Sequence, residues 1–438
     1  MSDSKPAKRS GNLVALAVLA PVAGAAVGLV GAIFRLALEQ ADRFRDGLIA
    51  SAHSHGFDGF LLVTGSCAAA VAFAAWLVRR FAPYASGSGI PHVEAAVNEE
   101  VPPASPGLIP VKFFGGLLAI SSGLALGREG PSVQMGAAIA YMVGKVCRRS
   151  WPDGRVLLAA GAGAGLATAF NAPIAGAVFV LEELVRRFEA HIAIAALGAS
   201  ATAIAVARAL LGHAPDFRVE PLAYVGAQTW PSLVVLGAVA GIAASLYNCT
   251  LLGTLTATDR LSRWPVELRA GVIGAAVGIL GWFAPGLVGG GDEITQHTLA
   301  GGATLAMMPL AFVFLLRFGL GAVSYAAATP GGLFAPILVL GAQLGLFSGT
   351  LCRLVFPDFD IDPIAFAVVG MAALFTGVVQ APITGIILVI EMTASFTMLL
   401  PMLGACFAAM LVANLLHSAP IYDSLREGTL RLQGPEKA

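Results

Sequence analysis

Long apolar runs broken by brief polar punctuation make up nearly the whole chain. Uncharged stretches extend over Leu13 to Phe34, Gly59 to Val78, Val156 to Leu181 and Thr229 to Thr258. Others follow over Ala270 to Gly291, Thr298 to Leu316, Phe318 to Cys352, Ile364 to Ile390 and Met392 to Tyr422. Crossing a hydrocarbon core takes about 20 apolar residues, so the pattern predicts a chain that passes through a bilayer many times. Polar, loop-like sequence is confined to the first eleven residues, roughly 79–110, 148–155, 213–228, 259–269 and the end after Tyr422. The apolar run after Lys5, Lys8 and Arg9 exceeds a signal-peptide core and lacks a clear cleavage site, which predicts a retained first helix.

Composition sharpens this. Only 12% of the 438 residues are Asp, Glu, Lys or Arg while 57% are hydrophobic, and the 52 Gly and 25 Pro fall largely inside the apolar runs. Such residues are tolerated at membrane depth where the freed backbone is buried in protein or lines a wet cavity, and small residues also let helices pack closely. Composition leaves both readings open. A formal charge of zero excludes a basic face for nucleic acid and an acidic tail for partners. The five cysteines are odd in number and without a CxxC pair, and read as small core residues. The seven histidines are scattered and make no HExxH, so neither a metal site nor a cofactor is expected.

The chain resembles itself. Gly130-Pro131-Ser-Val-Gln-Met-Gly136 aligns with Ala335-Pro336-Ile-Leu-Val-Leu-Gly341 at an offset of 205, and Gly144 then meets Gly349. Asn171-Ala172-Pro173-Ile174-Ala-Gly176 aligns with Gln380-Ala381-Pro382-Ile383-Thr-Gly385, and Glu182 meets Glu391 at an offset of 209. Two ordered blocks indicate a duplication, with repeats at about 12–211 and 228–422. Duplicated halves interrupted by Gly and Pro at matching places are the mark of transporters whose substrate site lies at the repeat interface.

Four short segments stand at the starts of apolar helices: Gly87-Ser88-Gly89-Ile90-Pro91, Gly127-Arg128-Glu129-Gly130-Pro131, Gly332-Leu333-Phe334-Ala335-Pro336 and His417-Ser-Ala-Pro-Ile-Tyr422. Three share the form G-x-x-x-P. Proline suits the first helical turn, where its missing N–H is not needed, and glycine permits the tight turn before it. Each segment therefore predicts a helix N-terminus, with free amides and about half a positive charge. Several such ends converging would bind an anion without a full cation, and weakly enough to release it.

These three G-x-x-x-P segments resemble the selectivity motifs of the CLC chloride channel and transporter family. Asn171-Ala-Pro-Ile-Ala-Gly176 leading to Glu182 and Glu183, and the closing Pro420-Ile-Tyr422, fit the same family in order, so the resemblance covers essentially the whole chain. It implies an all-α integral membrane fold, a duplicated antiparallel (inverted-repeat) bundle of tilted and half-length helices, assembled as a homodimer with one pathway per subunit. It also implies a single transport domain over 12–422, between a cytoplasmic N-terminal tail at 1–11 and a short tail at 423–438. The sixteen residues after Tyr422 leave no room for paired CBS domains, which suggests a prokaryotic inner-membrane protein.

By the same resemblance Ser88 and Tyr422 offer hydroxyls, and Leu333 and Phe334 backbone amides, to a central chloride; all are uncharged donors. Taken alone, Ser88 reads sooner as a helix cap and Tyr422 as an interfacial aromatic. Glu129 is implied as the gate, its carboxylate occupying an anion site when ionised and swinging away when protonated; alone it reads as a capping carboxylate. Glu183 falls where proton-coupled members keep a glutamate that passes protons to the cytoplasm, which favours a chloride/proton antiporter over a passive chloride channel. Glu182 and Glu391 read as structural, with proton transfer a second possibility for Glu182. An intramembrane serine protease using Ser88 and His92 lacks an oxyanion or third-group context. Arg317, a lone charge in an apolar run, has no explanation in the sequence.

Overall fold

The structure, a computed structural model, describes residues 12–224, 226–261, 263–300 and 307–431. The predicted N-terminal tail and the last seven residues lie outside the described part. In the first half the chain forms α1 (Leu13–Ala52), α2 (Gly56–Phe81), α3 (Ile90–Val97), α4 (Leu108–Ser121), α5 (Glu129–Val146), α6 (Trp151–Phe170), α7 (Pro173–Phe179) and α8 (Ala190–Leu211). The second half repeats the order with α9 (Trp230–Arg260), α10 (Val266–Phe283), α11 (Asp292–Leu299), α12 (Met307–Tyr325), α13 (Phe334–Val355), α14 (Pro363–Val379), α15 (Pro382–Thr393) and α16 (Leu399–Leu415). A last helix, α17 (Ile421–Arg431), follows.

Membrane crossing and interruption are both present. Among the described residues seven segments are long and apolar enough to cross, including α8, α9, α10, α12 and α13. Several apolar runs are broken inside. The run Val156 to Leu181 stops at Asn171 and restarts at Pro173, and the run Ile364 to Ile390 stops at Gln380 and restarts at Pro382. Asn171 and Gln380 are both left-handed, with φ of 51° and 64°, so the duplicated break has duplicated geometry. A left-handed residue ends a helix by turning the chain off its axis, and the following proline is suited to the next first turn.

Close packing of small residues operates beside the breaks. A side-chain carbon on Gly136 would overlap the Gly161 carbonyl where α5 meets α6, and one on Gly341 would overlap the Gly370 carbonyl where α13 meets α14. Backbones that approach this closely need glycine at the contact. The equivalent helices α7 and α15 pack together and run antiparallel: the end of the first touches the start of the second, and the reverse. That is the relation expected of inverted repeats.

Three expectations are corrected. The polar stretch at 79–110 is not all loop, because it contains the buried helix α3. Polar sequence after Tyr422 is helical through Arg431. Of the cysteines only Cys67 and Cys406 are buried; Cys147 and Cys249 are exposed and Cys352 is intermediate.

Candidate functional site

The three glycine motifs meet through their backbones. Gly127 donates its amide to the Gly332 carbonyl at 2.9 Å and receives the Gly332 amide at 2.7 Å. Gly87 donates to the Thr329 carbonyl at 3.0 Å, and its own carbonyl accepts from Gly331 at 3.1 Å. Each motif opens a helix as predicted: α3 follows Gly89, α5 begins at Glu129 and α13 at Phe334. Gly89 is left-handed at φ 80°, and a side-chain carbon there would strike the Gln134 amide. Only glycine fits both the turn and the space.

Glu129 lies at their meeting point. Fully buried, it accepts the Phe334 amide on Oε1 at 2.6 Å. A carboxylate thus sits on the first free N–H of α13, the position at which a helix end attracts an anion. Gly130 packs directly against Ser88, and Gly332 against the Glu129 carboxylate. The hydroxyls of Ser88 and Tyr422, both fully buried, approach each other, and neither has a hydrogen-bond partner among the described residues. Leaving a buried donor unpaired costs about 1–3 kcal/mol, and both hydroxyls are uncharged donors. The Phe334 ring closes one wall, packed against Phe170, Phe179, Phe375 and Tyr422.

Arg128 is not a free cation beside this point. It donates to the Ala169 carbonyl at 2.8 Å and pairs with Asp292 at 3.0 Å and Asp216 at 2.9 Å. Asp216 also pairs with Arg35 at 2.7 Å, so the segment joining the two halves is tied to α1 and to the Glu129 motif.

Two buried cations do stand behind the motif turns. Lys112, on α4, donates to the carbonyls of Ala85 at 3.0 Å and Gly87 at 2.7 Å. Arg317, on α12, donates to those of Leu287 at 3.2 Å, Gly289 at 2.7 Å and Gly290 at 3.0 Å. The two carbonyl pairs differ by 202 residues (287 − 85 and 289 − 87), so the cations do the same work in each repeat. Each donates to carbonyls beside a glycine turn: Lys112 serves the Ala85 carbonyl and is a second donor to that of Gly87, which also accepts the Gly331 amide, and Arg317 serves those of Leu287, Gly289 and Gly290. Arg317 thereby acquires a structural role. Lys112 is a residue the sequence reading missed, although a lone lysine in the apolar α4 was a signal of the same kind.

Glu183 lies in a π-helical turn, Val180–Leu184, that continues α7. Such turns widen the helix and occur frequently at functional sites. Its side chain is 3% exposed, with the Arg186 guanidinium 3.5 Å away. Glu94 of α3, fully buried and hidden within the stretch read as loop, joins the same cluster: Arg426 lies 2.8 Å and Arg186 3.6 Å from it.

The neighbouring glutamates do something else. Glu182 accepts the amides of Ile383 at 3.0 Å and Thr384 at 2.6 Å, at the start of α15. Glu391 accepts those of Ile174 at 3.1 Å and Ala175 at 2.8 Å, at the start of α7. Each repeat caps a half-helix of the other, which agrees with the structural reading. Neither ring nitrogen of His92 has a hydrogen-bond partner among the described residues, so no hydrogen bond joins it to Ser88.

Fold and site together define a class of protein: an integral membrane carrier of duplicated broken helices that aim uncharged donors and one carboxylate at a shared buried point. Residues 68–414 match the family model described as the voltage gated chloride channel, and the chain belongs to that family. It is 36% identical to the H(+)/Cl(-) exchange transporter ClcA of Klebsiella pneumoniae (strain 342), over 98% of this chain and 92% of that one. The ClcA transporter of Salmonella typhimurium (strain LT2) is similar to the same extent, 36% over 98% and 92%. Among solved structures, a slow cyanobacterial Cl−/H+ antiporter is similar at 32% identity with a TM-score of 0.90, over 95% of this chain and 98% of that one. A CLC-type fluoride/proton antiporter shares the fold at 23% identity and a TM-score of 0.77, over 94% and 97%.

Proposed function

We propose that this protein exchanges chloride for protons across the membrane, with Glu129 as the gate and Glu183 as the internal proton-transfer residue. The observation that carries the reading is the Glu129 carboxylate hydrogen-bonded to the Phe334 amide, at the point where the three motifs meet. A side-chain anion and a free halide compete for such a donor. Protonating the side chain removes its negative charge and its claim on the amide, so one site serves either a proton on Glu129 or a chloride in its place. Ser88, Tyr422 and the amides of Leu333 and Phe334 then hold the chloride.

Glu183 completes the proton route because it is a second buried carboxylate beside a cluster that reaches the surface, whereas both oxygens of Glu182 are occupied in capping α15. Relatives described as H(+)/Cl(-) exchange transporters support coupled exchange over passive flow. The same reading makes the protein a homodimer in a prokaryotic inner membrane, with the transport domain over 12–422.

Purified protein in liposomes tests this when chloride and proton movement are recorded together. In wild type, chloride running down its gradient should drive protons the opposite way, against their own gradient. Glu129→Gln and Glu183→Gln should each lower proton movement by about 100-fold or more while chloride continues to flow, the loss expected of an essential proton-transfer group. Chloride flux without proton movement in wild type would make the protein a channel, and intact proton movement in Glu183→Gln would remove that residue from the route.

A further inference from the structure

Arg186 reaches Glu183, Glu94 and, on the helix carrying Tyr422, Asp423. It follows the π-helical turn of Glu183 with a left-handed backbone, φ 55°, which a residue with a side chain adopts only where its surroundings hold it. Its guanidinium grips Asp423 with two bonds, Nη1 to Oδ2 at 2.9 Å and Nη2 to Oδ1 at 2.6 Å. Nη2 also lies 3.5 Å from Glu183 Oε1 and 3.6 Å from Glu94 Oε1, while Nε donates to the Glu183 carbonyl at 3.3 Å. Asp423 is the residue after Tyr422, in the first turn of α17.

These distances rank the contacts. The Asp423 pair is a fork-on-fork hydrogen bond that fixes the plane of the guanidinium. The contacts to Glu183 and Glu94 are longer than hydrogen bonds and are electrostatic. Glu94 has a second cation, Arg426, which also pairs with Glu100. For Glu183, Arg186 is the cation within ion-pair reach among the described residues. A proton arriving on Glu183 cancels that attraction but leaves the Asp423 fork intact. The guanidinium is then free to shift toward Asp423 and Glu94, and the first turn of α17 feels the change one residue from Tyr422.

We propose that Arg186 is the positioning residue that transmits the protonation state of Glu183 to α17, and through it to the Tyr422 hydroxyl at the anion point. The inference rests on the exchange reading above and adds the link by which the two ions sense each other. The Arg186 side chain is 40% exposed and that of Asp423 30%, so this pair opens the cluster to solvent.

The test records protons moved per chloride in liposomes for wild type, Arg186→Gln, Arg186→Lys and Asp423→Asn. Arg186→Gln is expected to lower that ratio by about fivefold or more, the lower end of ordinary coupling between sites, with chloride flux retained. Asp423→Asn cuts the fork from α17 while sparing the Glu183 ion pair, and is expected to lower the ratio in the same direction. Arg186→Lys keeps the charge without the fork and should fall between. A wild-type ratio in both Arg186→Gln and Asp423→Asn would make Arg186 an ordinary surface ion pair and overturn the proposal. If Arg186→Gln does not reconstitute as folded protein, Asp423→Asn and Arg186→Lys decide by the same ratios. Absence of proton movement in wild type would bring down the exchange reading itself, a result distinct from unchanged ratios in the variants.

Discussion

The two repeats are most alike where they hold the molecule together and least alike where ions are handled. Lys112 and Arg317 satisfy corresponding carbonyls. Glu182 and Glu391 cap each other's half-helices. Gly136 with Gly161, and Gly341 with Gly370, make the same backbone approach. At the anion point the correspondence fails. Glu129 and Phe334 are separated by 205 residues, the repeat offset itself, so the Glu129 carboxylate of one half rests on the amide at the equivalent position of the other. At the offset of 209, Glu183 corresponds to Met392. A pathway with equal ends has no use for two kinds of ion. On the proposed exchange reading, a carboxylate at one of two equivalent positions supplies the proton carrier while its partner's backbone binds it.

The comparison can be broken hardest at the glycine contacts. Gly136→Val and Gly341→Val are each expected to destabilise the protein by about 3 kcal/mol or more, because the carbonyl each would strike belongs to backbone that cannot turn away. The yield of monodisperse protein after heating in detergent measures this, and unequal losses would argue against equivalent packing in the two halves. A smaller effect is expected at the paired cations. Lys112→Met takes the donor from the Ala85 carbonyl and one of two donors from that of Gly87, and Arg317→Met takes the donors from three carbonyls; at about 1–3 kcal/mol for a buried group left unpaired, both should lower thermal stability. They are expected to part in function: Lys112 holds the turn that presents Ser88, so its loss should lower chloride flux, whereas loss of Arg317 should leave flux per folded protein near wild type. Equal flux in both variants would mean that the Ser88 turn holds its shape without Lys112.

The mildest effect is expected at the caps. Glu182→Gln and Glu391→Gln keep one acceptor oxygen each and should lower stability by about 1 kcal/mol, with the proton-to-chloride ratio unchanged in both. A lowered ratio in Glu182→Gln alone would give Glu182 a part in proton movement that its repeat partner lacks.

What was legible along the chain was local. Apolar runs too long for a soluble core, G-x-x-x-P helix starts, the duplicated Asn171 and Gln380 breaks, and Glu129 just inside a helix start are each properties of a few neighbouring residues. Backbone sterics and hydrophobicity act at that range. The start of α3 was legible at Gly89, but its full burial was not, because it carries His92 and Glu94 and only partners far along the chain, α5, α6 and α17, cover them. Lys112 and Arg317 could be seen as isolated charges, yet their purpose is a set of carbonyls on another segment. The sequence by itself determined a duplicated membrane protein with several helix ends available to an anion. Tertiary structure alone decided that the ends meet, that the Glu129 carboxylate rests on Phe334, and that Arg186 links Glu183 to Asp423. Those contacts join residues more than 200 positions apart, and electrostatic attraction over a few ångströms depends on distance in space, which no local pattern encodes.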